Sequence, residues 1–298
     1  PPPPALTTRP WSSAASDVYK RQIHRFQPAG KGIMRACAWY GWRLTLGVAF
    51  CLRAGMILPL FSPINPPSES PLKIVVTNDD GYDQPGLAAL VESVKALAEV
   101  WVVAPATPQS NVGHRVTMRE PIRVDRPDRH TYVVHATPAD CTRLAVKQLV
   151  PDVDWVIAGI NPGANLGSDV YQSGTVAAVR EAAILGIRAM AVSQYIAPDW
   201  TVDWPAAQVQ VVRILAAILK KELSPGQFWN INLPSPITVG SALTTQFCPL
   251  DKHPHRYRYT EDAGVYRYQG IIHDRPRSVG SDVDVCFGGM ISVTLMEI

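Results

Sequence analysis

From Leu72 onward, short β-branched runs alternate with alanine-rich runs whose apolar residues recur every three or four positions. That alternation constrains the fold more than any other feature of the chain, because successive βαβ units close only into a mostly parallel sheet with helices on its faces. The segment "LKIVVTN" reads as a buried strand. In "PGLAALVESVKALAEV", Leu87, Leu90, Val91, Val94, Leu97 and Ala98 fall at helical spacing, with Pro85 suited to the first turn. "VWVVAP" and "TYVVHAT" read as strands, "ADCTRLAVKQLV" as a helix, "WVIAGIN" as a strand and "TVAAVREAAILG" as a helix closed by Gly186. "AMAVSQ", "FWNINLP" and "GMISVTLMEI" continue the strands, with "DWPAAQVQVVRILAAILKKEL" as a long amphipathic helix among them. The expected class is α/β with a mostly parallel sheet.

The first 71 residues have a different texture. Eleven are proline, out of 27 in the whole chain, and "RPWSSAASDVYKRQ" follows neither a helical nor a strand period. Residues 1–71 are therefore expected to lie outside the fold, and residues 72–298 to form one domain. The stretch "LTLGVAFCLRAGMILPLF" has a signal-like cast, but Arg53 interrupts it and it is short for a membrane span. A cytoplasmic location is expected, with a periplasmic or anchored one following only if residues 34–62 act as a signal or anchor. Lys and Arg number 28 against 25 Asp and Glu, too even a balance to argue for nucleic-acid binding. Five cysteines without a CxxC pair argue against a disulfide framework and a zinc ribbon.

Polar residues collect after the expected strands, which is where ligands bind in an open parallel sheet. Asn78, Asp79 and Asp80 follow the first strand, and two consecutive carboxylates at a strand tip repel unless a positive charge joins them. A hard divalent cation, magnesium or manganese, suits such oxygen donors, although Asp80 or Asp83 capping the next helix is the plainer reading of the motif taken alone. The second strand leads to Ser110, Asn111, Gly113 and His114. "NPGANLGSDVYQSGTV" ends in Ser173, Gly174 and Thr175 at a helix start, readable as an anion cradle or as ordinary capping. His114 reads as a structural hydrogen-bonder before a general acid. A dinucleotide-dependent oxidoreductase is excluded, because the first turn is acidic where a pyrophosphate turn needs glycines.

Taken together, "IVVTNDDGYDQPGL", "VAPATPQSNVGH", "TPADC", "GINPGANLGSDVYQSGTV", "NINLP" and "SDVDVCFGGMISVTL" resemble, in order, the signatures of the SurE family of survival-protein 5'-nucleotidases. The resemblance implies a Rossmann-like three-layer α/β/α fold and a divalent-metal-dependent phosphohydrolase acting on nucleoside monophosphates. Activity at 3' positions and on short polyphosphate is implied as well. It further implies one Mg²⁺ or Mn²⁺ per subunit on Asp79, Asp80, Ser110 and Asn161, with Asp79 and Asp80 catalytic. Asn165, Ser173, Gly174 and Thr175 would contact the phosphate. The expected chemistry is direct attack by water, oriented or deprotonated by Asp80 or Asp79, with a covalent aspartyl-phosphate as the rival.

The family's extended hairpin, used in assembly, corresponds to residues 252–282 and implies a homodimer or homotetramer. No nucleic-acid or membrane partner is expected, and the arginines and tyrosines of that segment read as a rim near the site before a nucleic-acid surface. Three departures from the family pattern, Ala106 to Pro108, Pro162 and Gln172, fall beside the implied ligands and bear on substrate preference. A catalytically inactive nucleotide-binding module on the same fold is the alternative function.

Overall fold

A computed structural model describes residues 71–270 and 272–298. The proline-rich extension and its signal-like stretch lie outside the described residues, apart from Pro71. A nine-stranded sheet runs in the order β3-β4-β2-β1-β5-β6-β7-β11-β8. Its parallel centre comprises β1 (Lys73–Thr77), β2 (Glu99–Pro105), β4 (Thr131–Val134), β5 (Trp155–Pro162), β6 (Arg188–Gln194) and β7 (Gln227–Leu233). β11 (Ile291–Glu297) returns antiparallel to β7, with β8 (Thr245–Phe247) parallel beside it, and β3 (Val124–Asp125) pairs antiparallel with β4 at the other edge. The class expected from the sequence is the class observed.

Helices cover both faces. On one side, α1 (Pro85–Val94) and α4 (Trp204–Ile218) bury Leu87, Leu90, Val94, Val211, Ile214, Leu215 and Ile218 against Ile74, Val76, Ile157 and Met190. On the other, α2 (Pro138–Leu144) and α3 (Gly174–Ile184) lie over Val75, Val103, Val156 and Ala191. Each such aliphatic side chain contributes about 1.5–3 kcal/mol through removal from water. Gly86 shows how closely α1 approaches the sheet, since a Cβ there would stand 2.1 Å from the Ile160 carbonyl oxygen.

Three elements differ from expectation. The helix over "ADCTRLAVKQLV" is regular only to Leu144 and then widens, with the Val150 amide donating to the Ala145 carbonyl at 3.0 Å. α4 stops at Ile218, where its apolar stripe gives way to Lys220, Lys221 and Glu222. β3 and β8 have two and three residues, too few to show a period.

The hairpin formed by β9 (Tyr259–Asp262) and β10 (Val265–Tyr268) lies inside the segment expected to carry one. Downstream, α5 (Asp282–Phe287) begins on buried Asp282, whose carboxylate accepts from the Gly167 and Asp251 amides at 2.8 and 2.7 Å. That side chain ties the carboxyl-terminal segment to the turn preceding α3.

Strand order reverses between β1 and β5. From β1 the chain builds outward through β2 and β4, then crosses back to add β5, β6 and β7 on the opposite side. The carboxyl ends of β1 and β5 flank this switch point, so the loops leaving them splay apart and open a crevice.

Candidate active site

The crevice is a cleft of about 640 Å³. Asp79, Asp80, Ser110, Asn161, Asn165 and Ser173 all line it, although they span nearly a hundred residues of sequence. Backbone hydrogen bonds hold the contributing loops together. The Gln109 amide donates to the Asp79 carbonyl at 2.7 Å, the Tyr82 amide to the Pro105 carbonyl at 3.0 Å, and the Gly113 amide to the Gln172 carbonyl at 3.1 Å. Asn78 shapes the first turn, its side chain donating to the Gly81 carbonyl at 2.7 Å and accepting from the Gly81 amide at 3.2 Å. Asn161 follows a register shift between β5 and β6 that re-aims the end of the strand. Its amide nitrogen donates to the Gly163 carbonyl at 2.6 Å, which leaves its oxygen available as a donor to a cation.

Asp79 is buried and fixed from α3. The Thr175 hydroxyl donates to its carboxylate, and the Thr175 backbone N–H faces it as well. Burial still pushes Asp79 above the usual carboxylate range, against those hydrogen bonds. Burial, and after it the charge of Asp79, raises Asp80 to about 7. Among the described residues neither carboxylate forms a salt bridge.

Two adjacent, partly desolvated carboxylates without a cationic neighbour, beside a hydroxyl and a free amide oxygen, fit a hard divalent cation. No cluster of three His, Cys, Asp or Glu side chains in ligating arrangement exists among the described residues, so the donor set has to be this mixed one.

The proposed cradle divides. Ser173 caps α3, its hydroxyl accepting from the Val176 amide at 3.0 Å, while also lining the cleft. Thr175 is fully buried behind Asp79, with its hydroxyl engaged there, and does not line the cleft. Gly174 presses on the same carboxylate: a Cβ there would lie 2.7 Å from the Asp79 Cβ and 2.9 Å from its Oδ2. Of the four residues expected to meet phosphate, Asn165 and Ser173 face the cleft, whereas Gly174 and Thr175 pack against Asp79. Gly174→Ala should therefore displace Asp79 and lower kcat by about 10- to 100-fold, much as loss of a supporting partner does at a metal site. Phosphate-release kinetics on the purified variant, with its melting temperature as a folding control, check this.

Sequence reasoning missed the supports of Asn165. Its backbone N–H donates to Asn232 at 2.8 Å, its carbonyl accepts from the Asn230 and Asn232 amides at 2.8 and 3.1 Å, and its own amide donates to the Ser193 hydroxyl at 2.8 Å. The available signal was two asparagines inside the apolar strand "FWNINLP". Also missed were Asp169, which lines the cleft 2.8 Å from His255, and Arg275, which pairs with Asp169. His255 and Tyr257, just before the hairpin, and Tyr259 and Tyr268, within it, form a rim of the cleft.

His114 lies elsewhere, 2.7 Å from buried Glu181, which Arg143 also contacts. Burial raises Glu181, but those two partners outweigh it and leave the carboxyl below its ordinary value. Of the departures from the family pattern, Pro162 and Gln172 line the cleft, whereas Thr107 lines a separate groove.

Residues 74–254 match the family model described as survival protein SurE. A putative 5'-nucleotidase of Synechocystis sp. is 43% identical over 227 residues, covering 76% of this chain and 100% of that protein. The 5'-nucleotidase SurE of Paramagnetospirillum magneticum is 37% identical, covering 78% and 92%. The crystal structure of the SurE protein from Aquifex aeolicus superposes with a TM-score of 0.67 at 29% identity, covering 76% of this chain and 93% of that one. The switch-point cleft thus sits in a fold and a sequence shared along nearly the whole length of these relatives, and the chain belongs to the survival protein SurE family.

Proposed function

We propose that the protein is a divalent-cation-dependent 5'-nucleotidase, a phosphomonoesterase that hydrolyses nucleoside monophosphates. The observation that carries this reading is the buried Asp79–Asp80 pair, without a cationic side chain, in one cleft with Ser110 and Asn161. These four residues would hold magnesium or manganese, which when bound would supply charge neutralisation at the ester and lower the pKa of water. The remaining steps belong to the chain. Ser173 and Asn165 bind phosphate oxygens, Asn165 being oriented for this by Asn232 and Ser193. Asp80, the less buried of the two carboxylates, orients the attacking water and takes its proton. Asp79 is held in register by Thr175.

The names of the relatives support a 5'-phosphate. Action at 3' positions, action on short polyphosphate, a homodimeric or homotetrameric assembly and a cytoplasmic setting extend the same reading. The free, buried Cys141, Cys248 and Cys286 suit a reducing compartment. No helix among the described residues is long and apolar enough to cross a membrane.

Phosphate release from a panel of 5'-, 3'- and 2'-nucleoside monophosphates and tripolyphosphate tests the scope. The reading expects the 5' esters to be cleaved fastest and only with added cation. Binding of the nucleotides without release of phosphate from any of them would favour the inactive binding module. Hydrolysis in ¹⁸O-labelled water with rapid acid trapping separates direct attack, which leaves no phospho-enzyme, from an aspartyl-phosphate route.

A further inference from the structure

Cleavage of a nucleotide ester expels a ribose alkoxide, a poor leaving group unless a proton reaches it as the P–O bond breaks. Asp79 and Asp80 serve the cation and the attacking water, so the proton has to come from elsewhere in the cleft. His255 is the only histidine among the described residues that lines it. The others are engaged away from the cleft: His114 with Glu181, His130 against Trp101, His135 with Asp125, His253 with Asp251 and His273 with Tyr195.

The ring of His255 is fixed on two sides. Its Nε2 lies 2.8 Å from Asp169 Oδ1, while Arg275 holds the other Asp169 oxygen. It stacks on Tyr257 at 4.5 Å and 10°, and the Tyr257 hydroxyl accepts from Gln172 at 2.6 Å. With the Nε2 hydrogen committed to Asp169, Nδ1, which has no hydrogen-bond partner among the described residues, is the atom that can carry a transferable proton. Asp169 belongs to the turn whose carbonyl accepts from the Ser173 amide at 3.1 Å, so the residue orienting the histidine also braces the phosphate side of the cleft.

We propose that His255 is the general acid of the reaction, protonating the leaving oxygen from Nδ1, with Asp169 as its positioning residue; the proposal rests on the nucleotidase reading. Water forms the new P–O bond and gives its proton to Asp80. The bond from phosphorus to O5' breaks with its electron pair going to O5'. The Nδ1 proton passes to that oxygen, giving the ribose hydroxyl and a neutral imidazole that solvent reprotonates. Arg256, Arg258, Asp274 and Tyr268, which line the adjoining hollow with Arg275, complete the charged and titratable groups around the ring.

The test compares AMP with p-nitrophenyl phosphate, whose phenolate departs without a proton, using wild type, His255→Gln and Asp169→Asn. His255→Gln should lower kcat on AMP by about 100-fold, with KM little changed, and lower it only a few-fold on p-nitrophenyl phosphate. Asp169→Asn should give the same selectivity with a smaller loss. In wild type, the alkaline fall in kcat should appear with AMP and not with p-nitrophenyl phosphate, a readout that needs no variant. Equal losses on the two esters, or the same alkaline limb for both, would overturn the proposal while leaving the nucleotidase reading intact. If wild type cleaves neither ester with magnesium or manganese, both fall together.

Discussion

Asp79→Asn and Asp80→Asn should each lower cation-dependent phosphate release by about 100- to 1,000-fold, the scale on which removal of one preorganised charge acts in an active site. The same variants should melt at a higher temperature than wild type when no divalent cation is present. Both effects have one origin. The two carboxylates are adjacent, and burial raises both above the usual range, with the charge of Asp79 adding to the rise at Asp80. An amide in place of one carboxylate keeps the shape, relieves the repulsion and removes a donor to the cation. Opposite signs in activity and stability mark residues retained for function rather than folding. Asp83→Asn serves as the control, since that side chain is exposed and outside the cleft. Steady-state kinetics and thermal melts on the same preparations check both halves, and a lowered melting point with full activity would contradict them.

The second large effect is on the pH dependence of cation binding. Asp80 has a folded pKa of about 7 against an ordinary value of 3.8. Below 3.8 the folded and unfolded chains are both protonated there, and the contribution of Asp80 to stability is fully present. Between 3.8 and about 7 the folded chain keeps a proton that the unfolded chain has released, so stability falls as pH rises through that window. Above it the ionised pair bears its full repulsion unless a cation relieves it. Chelator-treated protein should accordingly lose melting temperature between pH 5 and pH 8, beyond the change seen in Asp80→Asn. Manganese or magnesium should restore it, and the increase should be several degrees larger at pH 8 than at pH 5.5, where protons compete for the same oxygens. Equal increases at the two pH values would place the cation elsewhere.

Much of this architecture was legible in the sequence, for identifiable reasons. Runs such as "KIVVT" and "WVIAGIN" are apolar on both faces because helices cover both faces of the sheet, and that continuity marks a parallel strand. The acidic tip was legible because two carboxylates in succession after such a strand lack a packing role. Side-chain direction was not legible. "SGT" at a helix start is compatible with capping, with an anion cradle or with support of a neighbour, and only the fold shows Ser173 capping while Thr175 turns to Asp79. Asn230 and Asn232 read as strand residues because their partner, Asn165, is more than sixty positions away. Asp169, His255 and Arg275 join segments separated by up to 106 residues without regular periodicity, so nothing local announces them.

Phosphate release from AMP by chelator-treated protein, with and without restored manganese, tests the central claim most directly. The account predicts negligible release without the cation, saturable release with it, and loss of that response in Asp79→Asn. Undiminished release in the presence of chelator, or an unchanged manganese response in the variant, would contradict it.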